Sequence, residues 1–204
     1  MRPVDHRWKS ADIVGGNAAL DLINTVSGWN HDPEDWAPSV AGFLTWARIS
    51  GVLDAKEKKQ ADRLAATSPA AAERALASMN ELRLTLRRLV GSLEQGQDPG
   101  SEDLSPINRW ARRLALSREV KVGRNGIEFA LKQDLPALEL PCLRVTAAAL
   151  ALLENPPATR LKRCRSRDCG WMFVDGSKNR SRRWCDMAVC GNLSKAKRFR
   201  ARYA

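Results

Sequence analysis

The sequence predicts an α+β protein, mainly α. It should hold a helical N-terminal domain with one small β-hairpin, then a small module of hairpin plus helix organised by four cysteines. Three observations predict this. Apolar residues recur at helical spacing over much of the first 154 positions. One stretch alone, around Gly123-Arg124-Asn125-Gly126, has turn residues flanked by short β-prone runs. Four of the five cysteines and the whole net charge follow the breaker Asn155-Pro156-Pro157. A chain of 204 residues, 44% hydrophobic, has room for one domain of about 150 residues and a small appendage.

Each element follows in order. Gly15-Gly16-Asn17 reads as a turn, and 18–26 as a helix resting on Leu20, Ile23 and Val26. A polar loop with Trp29 and Trp36 follows over 27–38. Ser39 suits the cap of a helix carrying Val40, Phe43, Leu44 and Ala47 at i, i+3, i+4, i+7. Asp54 suits the cap of a charged helix reaching about Ala66. Pro69 opens the clearest helix, with Leu76, Met79, Leu82, Leu86, Leu89, Val90 and Leu93 on one stripe and its arginines elsewhere. Another helix is expected over 106–116. The runs 118–122 and 127–131 form the hairpin. A helix over 142–153, apolar on nearly all sides, belongs at the centre of a core. Its Cys142 reads as a small core hydrophobe. The breaker then places a boundary near Pro157, dividing the chain into 1–157 and 158–204, each expected to have its own core.

Charge divides at the same place. Positions 1–157 hold 20 basic and 20 acidic residues. Positions 158–204 hold 14 basic residues against Asp168, Asp175 and Asp186, which is the full +11. Such a segment repels itself unless a polyanion absorbs the charge. No apolar run reaches the ~20 residues of a membrane span, and no secretory leader is visible, so a cytoplasmic protein is expected.

Cys164, Cys169, Cys185 and Cys190 form two pairs, each with four residues between, fifteen residues apart. Two short-spaced pairs can supply four thiolates to one tetrahedral zinc ion. Disulfides or a redox pair, and an iron–sulfur cluster, are the rival uses. Cytosolic proteins rarely keep disulfides, Cys-x-x-Cys is absent, and the usual cluster runs are spaced differently. With four protein ligands the ion would be structural, and it would fold a segment too small for a large core.

Cations crowd the ligands. Lys178, Arg180, Arg182 and Arg183 lie between the pairs, where Ser177 is expected to cap a short helix leading into Cys185. Lys195, Lys197, Arg198 and Arg200 follow the last ligand on a helix of about three turns. Phe199 and Tyr203, at i, i+4, should form its apolar back against Trp171 or Trp184. These eight cations are the candidate contacts to double-stranded DNA.

The runs Cys164-x4-Cys169-Gly170-Trp171-Met172-Phe173-Val174-Asp175 and Ser181-Arg182-Arg183-Trp184-Cys185-Asp186-Met187-Ala188-Val189-Cys190-Gly191-Asn192 resemble the CGNR zinc-finger family. Gly16-Asn17 with Leu20-Asp21-Leu22-Ile23-Asn24-Thr25 resembles the start of the ABATE domain that usually precedes that finger. The resemblance implies a bacterial stress-induced transcription regulator, with a zinc finger for DNA and an N-terminal domain for sensing a small-molecule effector or for homodimerisation. The arginine that gives the finger its name is Leu193 here. If Leu193 faces solvent, a phosphate contact is lost; if it packs in the finger, it belongs to the core.

Asp21 and Asn24, i and i+3 on an apolar helix, either bridge to a neighbouring loop or form the polar floor of a ligand pocket. The loop with Trp29 and Trp36 could close over such a pocket. No motif of nucleotide binding or hydrolysis is present, so an enzyme is not expected. An RNA-binding zinc protein is the first alternative to a DNA-binding regulator, and an enzyme using an N-terminal pocket is the second. Phe199 and Tyr203 decide between DNA and RNA: buried they favour duplex DNA, exposed they favour base stacking.

Overall fold

The computed structural model describes residues 1–123, 126–154 and 160–203, with the main chain alone at Arg198, Arg202 and Tyr203. The fold is α+β and mainly α, as the sequence predicts. Its elements are β1 (Arg2–Pro3), α1 (Ala18–Ile23), β2 (Val26–Ser27), β3 (Glu34–Asp35), α2 (Val40–Ile49), α3 (Ala55–Thr67), α4 (Pro69–Glu94), α5 (Ser101–Leu116), β4 (Arg118–Gly123), β5 (Gly126–Leu131), α6 (Leu140–Glu154), β6 (Leu161–Arg163), β7 (Met172–Val174) and α7 (Asn192–Tyr203).

The helix signals act as read. The Ser39 hydroxyl accepts from the Gly42 N–H at 3.2 Å. Asp54 and Glu57 form a reciprocal capping box at the start of α3. The stripe of α4 buries Met79, Leu82, Leu86, Leu89 and Val90. Helix α6 packs against α1, α4 and α5. Its Cys142 is 2% exposed, and burial pushes the thiol pKa up to about 12, as for an inert core residue.

Several elements differ from the sequence reading. Helix α1 stops at Ile23, because the Asn24 side chain is committed elsewhere and Val26 enters β2. The loop after it holds β3, which pairs antiparallel with β2 and parallel with β1. Two-residue strands carry no alternation to read. Helix α5 begins at Ser101, before Pro106, since Glu102 and Asp103 favour a helix N-terminus. Arg83, expected outside the stripe of α4, is fully buried. Its guanidinium grips both carboxylate oxygens of Asp35 at 2.8 and 2.7 Å and donates to Thr25 Oγ1 and Asn80 Oδ1. This clamp ties α4 to β3 and to the end of α1.

Strands β4 and β5 form the expected hairpin, with Val120 opposite Phe129 and Val122 opposite Ile127. All four side chains are exposed, from 56% at Phe129 to 86% at Val122. The turn residues Arg124 and Asn125 lie outside the described residues, as does the boundary near Pro157.

The C-terminal module has a buried cluster of its own, Cys164, Cys169, Trp171, Phe173, Cys185 and Cys190, but it also joins the core of the helical body. Leu161 and Met172 belong to the same apolar cluster as α1, α4 and α6. The cluster around the four cysteines takes in Trp29 and Trp36 from the N-terminal loop. That loop therefore seats the module. Trp36 meets Trp171 edge-on at 5.2 Å, and the Trp171 indole donates to the Val26 carbonyl at 2.9 Å.

Candidate metal centre and nucleic-acid interface

Strands β6 and β7 pair antiparallel and present the first two cysteines on the loop between them. Within that loop the Cys164 N–H donates to the Trp171 carbonyl at 2.7 Å. Gly170 turns the chain with φ of +74°, and a Cβ there would sit 2.9 Å from Trp29. Glycine alone accepts both conditions. The second pair is set by a wide helical turn, Met187–Gly191, which Asp186 caps through the Val189 N–H at 2.7 Å. That turn runs directly into α7. The chain between β7 and Cys185 forms turns without the short helix expected after Ser177, because buried Asp175 gathers it instead. Its carboxylate accepts from the main-chain N–H groups of Ser177 and Arg182, at 2.9 Å each, and pairs with Lys162. Lys162 also donates to the carbonyls of Arg180 and Arg182. Lys162 holds Asp175 well below the usual carboxylate range.

The four cysteines converge. All four are buried and unbridged, and their Sγ atoms lie within 4.8 Å of one another. Cys185 Sγ is 3.6 Å from Cys169 Sγ and from Cys190 Sγ. A tetrahedral zinc ion with bonds of about 2.3 Å requires sulfur separations of about 3.8 Å. Disulfides would need sulfurs at about 2.05 Å. Four thiolates this close repel one another, and a divalent cation at their centre reverses the sign. The site fits one structural zinc ion. Its four protein ligands leave no position for substrate.

The predicted cations differ in their surroundings. Lys178, Arg183, Lys195 and Arg200 are exposed. Lys197 is exposed and pairs with Asp168. Arg180 occupies a left-handed turn position with φ of 50°. Arg182 is used by the module itself: its guanidinium stacks over Phe173 at 4.3 Å and donates to the Trp184 and Cys185 carbonyls. The Arg198 side chain lies outside those described. Arg165 and Arg167, exposed on the loop between the first two ligands, were missed as candidates. Their signal was present, since any cation between paired ligands is held in place by the metal.

Of the apolar back expected for α7, the Tyr203 side chain lies outside those described. Phe199 is 66% exposed, Trp171 is taken by the N-terminal loop, and the Trp184 indole donates to Ser194 Oγ at 3.1 Å. Leu193 is 54% exposed and lies outside the module's core.

Asp21 and Asn24 bridge to main chain. Asp21 Oδ1 accepts from the Gly15 N–H at 2.8 Å. Burial raises its pKa to about 6, while main-chain N–H groups of Gly15 and Val14 oppose the shift. Asn24 pairs with Met172 as a neighbouring strand would. It donates to the Met172 carbonyl at 2.8 Å and accepts from the Met172 N–H at 2.8 Å. The Val174 N–H continues the contact to the Gly15 carbonyl. On the other side, Arg87 donates to the Gly170 carbonyl at 3.0 Å, and Arg163 meets Glu94 at 3.1 Å.

Residues 16–156 match the family model ABATE, whose description reads "Putative stress-induced transcription regulator". Residues 160–203 match the CGNR zinc finger. No curated protein matches the chain. Among the described residues no helix is long and apolar enough to cross a membrane.

Proposed function

The chain belongs to the ABATE family and carries a CGNR zinc finger, and from that premise we propose that it is a transcription regulator whose finger binds duplex DNA. One observation carries the reading. The entire +11 charge falls on positions 158–204, and exposed cations there lie on segments that the four cysteines fix. Arg165, Arg167, Lys178, Arg183, Lys195 and Arg200 are the leading phosphate contacts, with Arg180, Lys197 and Arg198 beside them. Arg182 serves the finger's own structure. Replacing Arg183, Lys195 and Arg200 by alanine should weaken duplex binding and leave zinc in place. Each contact removed should flatten the slope of log affinity against log salt by roughly 0.9. A wild-type protein without salt-dependent duplex binding, even at low ionic strength, would overturn the reading.

One observation favours a second reading. The exposed Phe199 suits stacking on an unpaired base. Phe199→Ala should leave duplex affinity nearly unchanged. If it weakens binding to single-stranded RNA or DNA by about 1–3 kcal/mol, single strands are the target.

The same premise gives the N-terminal part a sensory role, cytoplasmic and without catalysis. The hairpin β4–β5 supports a homodimer. Two copies facing each other through Val120, Val122, Ile127 and Phe129 would bury on the order of 1,000 Å², the threshold of a specific interface. Val122→Lys should lower the sedimentation coefficient to that of a monomer. An unchanged coefficient argues against this face.

A further inference from the structure

The order of the ion pairs between α4 and α5 shows that the two helices run antiparallel. Arg88 meets Asp103 nearest their connection, and Arg109 meets Glu81 two turns further out. The next rung falls at Arg74, two turns before Glu81, and there the acid is missing. Arg113 on α5 turns instead to Glu139 at the start of α6. Among the described residues Arg74 has no acidic partner, and the Ser78 hydroxyl one turn along has no hydrogen-bond partner.

The helices part at this end. Helix α4 turns the small Ala71, Ala75 and Ser78 towards α5, leaving a cleft of about 600 Å³. Trp110, Leu138, Leu64 and Cys142 make its apolar wall. The volume suits a small organic molecule. Both glutamates at the rim are already matched by Arg109 and Arg113, so the charge left to select a ligand is the positive one of Arg74.

We propose that this cleft binds a small amphipathic carboxylate, an aryl or medium-chain aliphatic acid, with its carboxylate on Arg74 and Ser78 and its hydrocarbon against Trp110 and Leu138. The inference rests on the reading of the N-terminal part as sensory and supplies its ligand class. A cation would face three guanidinium groups, and a wholly polar ligand would leave the apolar wall wet.

Titration calorimetry of the zinc-loaded full chain with 2-naphthoate tests it. One naphthoate per chain should bind, and the uncharged 2-naphthalenemethanol should bind about tenfold more weakly. Arg74→Gln, at an exposed position, should weaken naphthoate about tenfold and leave the alcohol unchanged. Ala75→Phe should fill the cleft and abolish both heats. Absence of binding at millimolar naphthoate, equal affinity for acid and alcohol, or indifference to either substitution would overturn the proposal. Duplex affinity measured on the same preparation reports separately on the DNA reading, since calorimetry with naphthoate needs no nucleic acid.

Discussion

Single residues decide how far the site could be read from sequence. The cysteines were legible because metal ligation imposes both residue type and spacing. Arg182 was not, because the carbonyls it serves come together only when the finger closes around it. Asp21 was legible as a buried polar residue but not as a titrating one. Its pKa rises from the ordinary 3.8 to about 6 because burial penalises the charged form. The native state therefore holds this proton over a range where the unfolded chain has released it. Stability from the protonated form is fully present below pH 3.8 and is lost as pH rises through 6, by about 3 kcal/mol. Asp21→Asn keeps an acceptor for Gly15 and removes the charge. The difference in unfolding free energy between variant and wild type should grow from pH 4 to 6 in favour of the variant; denaturant titrations at several pH values measure it. Leu193 offers a second test. Being 54% exposed, it should accept arginine without loss of stability. Leu193→Arg should tighten duplex binding by on the order of 1 kcal/mol, read in a salt series. A fall in the zinc-loaded unfolding temperature would mean that Leu193 packs after all.

At the scale of elements, periodicity revealed the long helices and concealed what fastens them. The stripe of α4 could be traced residue by residue, yet Arg83 sits inside it, fully buried. Nothing in the spacing announces Asp35, 48 positions away, as its partner. The clamp makes a sharp prediction. Arg83→Met should destabilise by about 3–5 kcal/mol, because Asp35 is left as a buried charge without its counterion. Arg83→Met with Asp35→Asn should recover much of that loss, since the amide still accepts from the Ala37 N–H and no charge is stranded. Chemical denaturation of the two variants gives the comparison; a double variant as weak as the single one would show that the hydrogen bonds, and not the charge, matter. Helix α7 shows the opposite balance. Its length follows from its sequence, but Trp171, expected beneath it, is engaged by the body, and Phe199 stays largely exposed. Contacts between distant elements were beyond reach of local pattern.

At the scale of the whole molecule, the charge division was plain in the sequence and the shared core was not. Leu161 and Met172 look like any short apolar residues near a metal ligand, but they complete the cluster of α1, α4 and α6. Chelation should therefore reach beyond the finger. Stripping zinc should move the emission of Trp29, Trp36 and Trp171 to longer wavelength and lower the unfolding temperature of the helical body. Most helical dichroism should remain, because among the described residues α1 to α6 lie outside the finger. An unchanged body transition would restore the view of two independent cores. The pairing of Asn24 with Met172 limits what can be made from the parts. That amide stands where a third strand would stand, so an excised finger would expose a bare strand edge beside apolar Met172. Such a fragment invites edge-to-edge polymerisation. The finger is thus a poor cassette for grafting onto other scaffolds unless a surrogate for this one side chain travels with it.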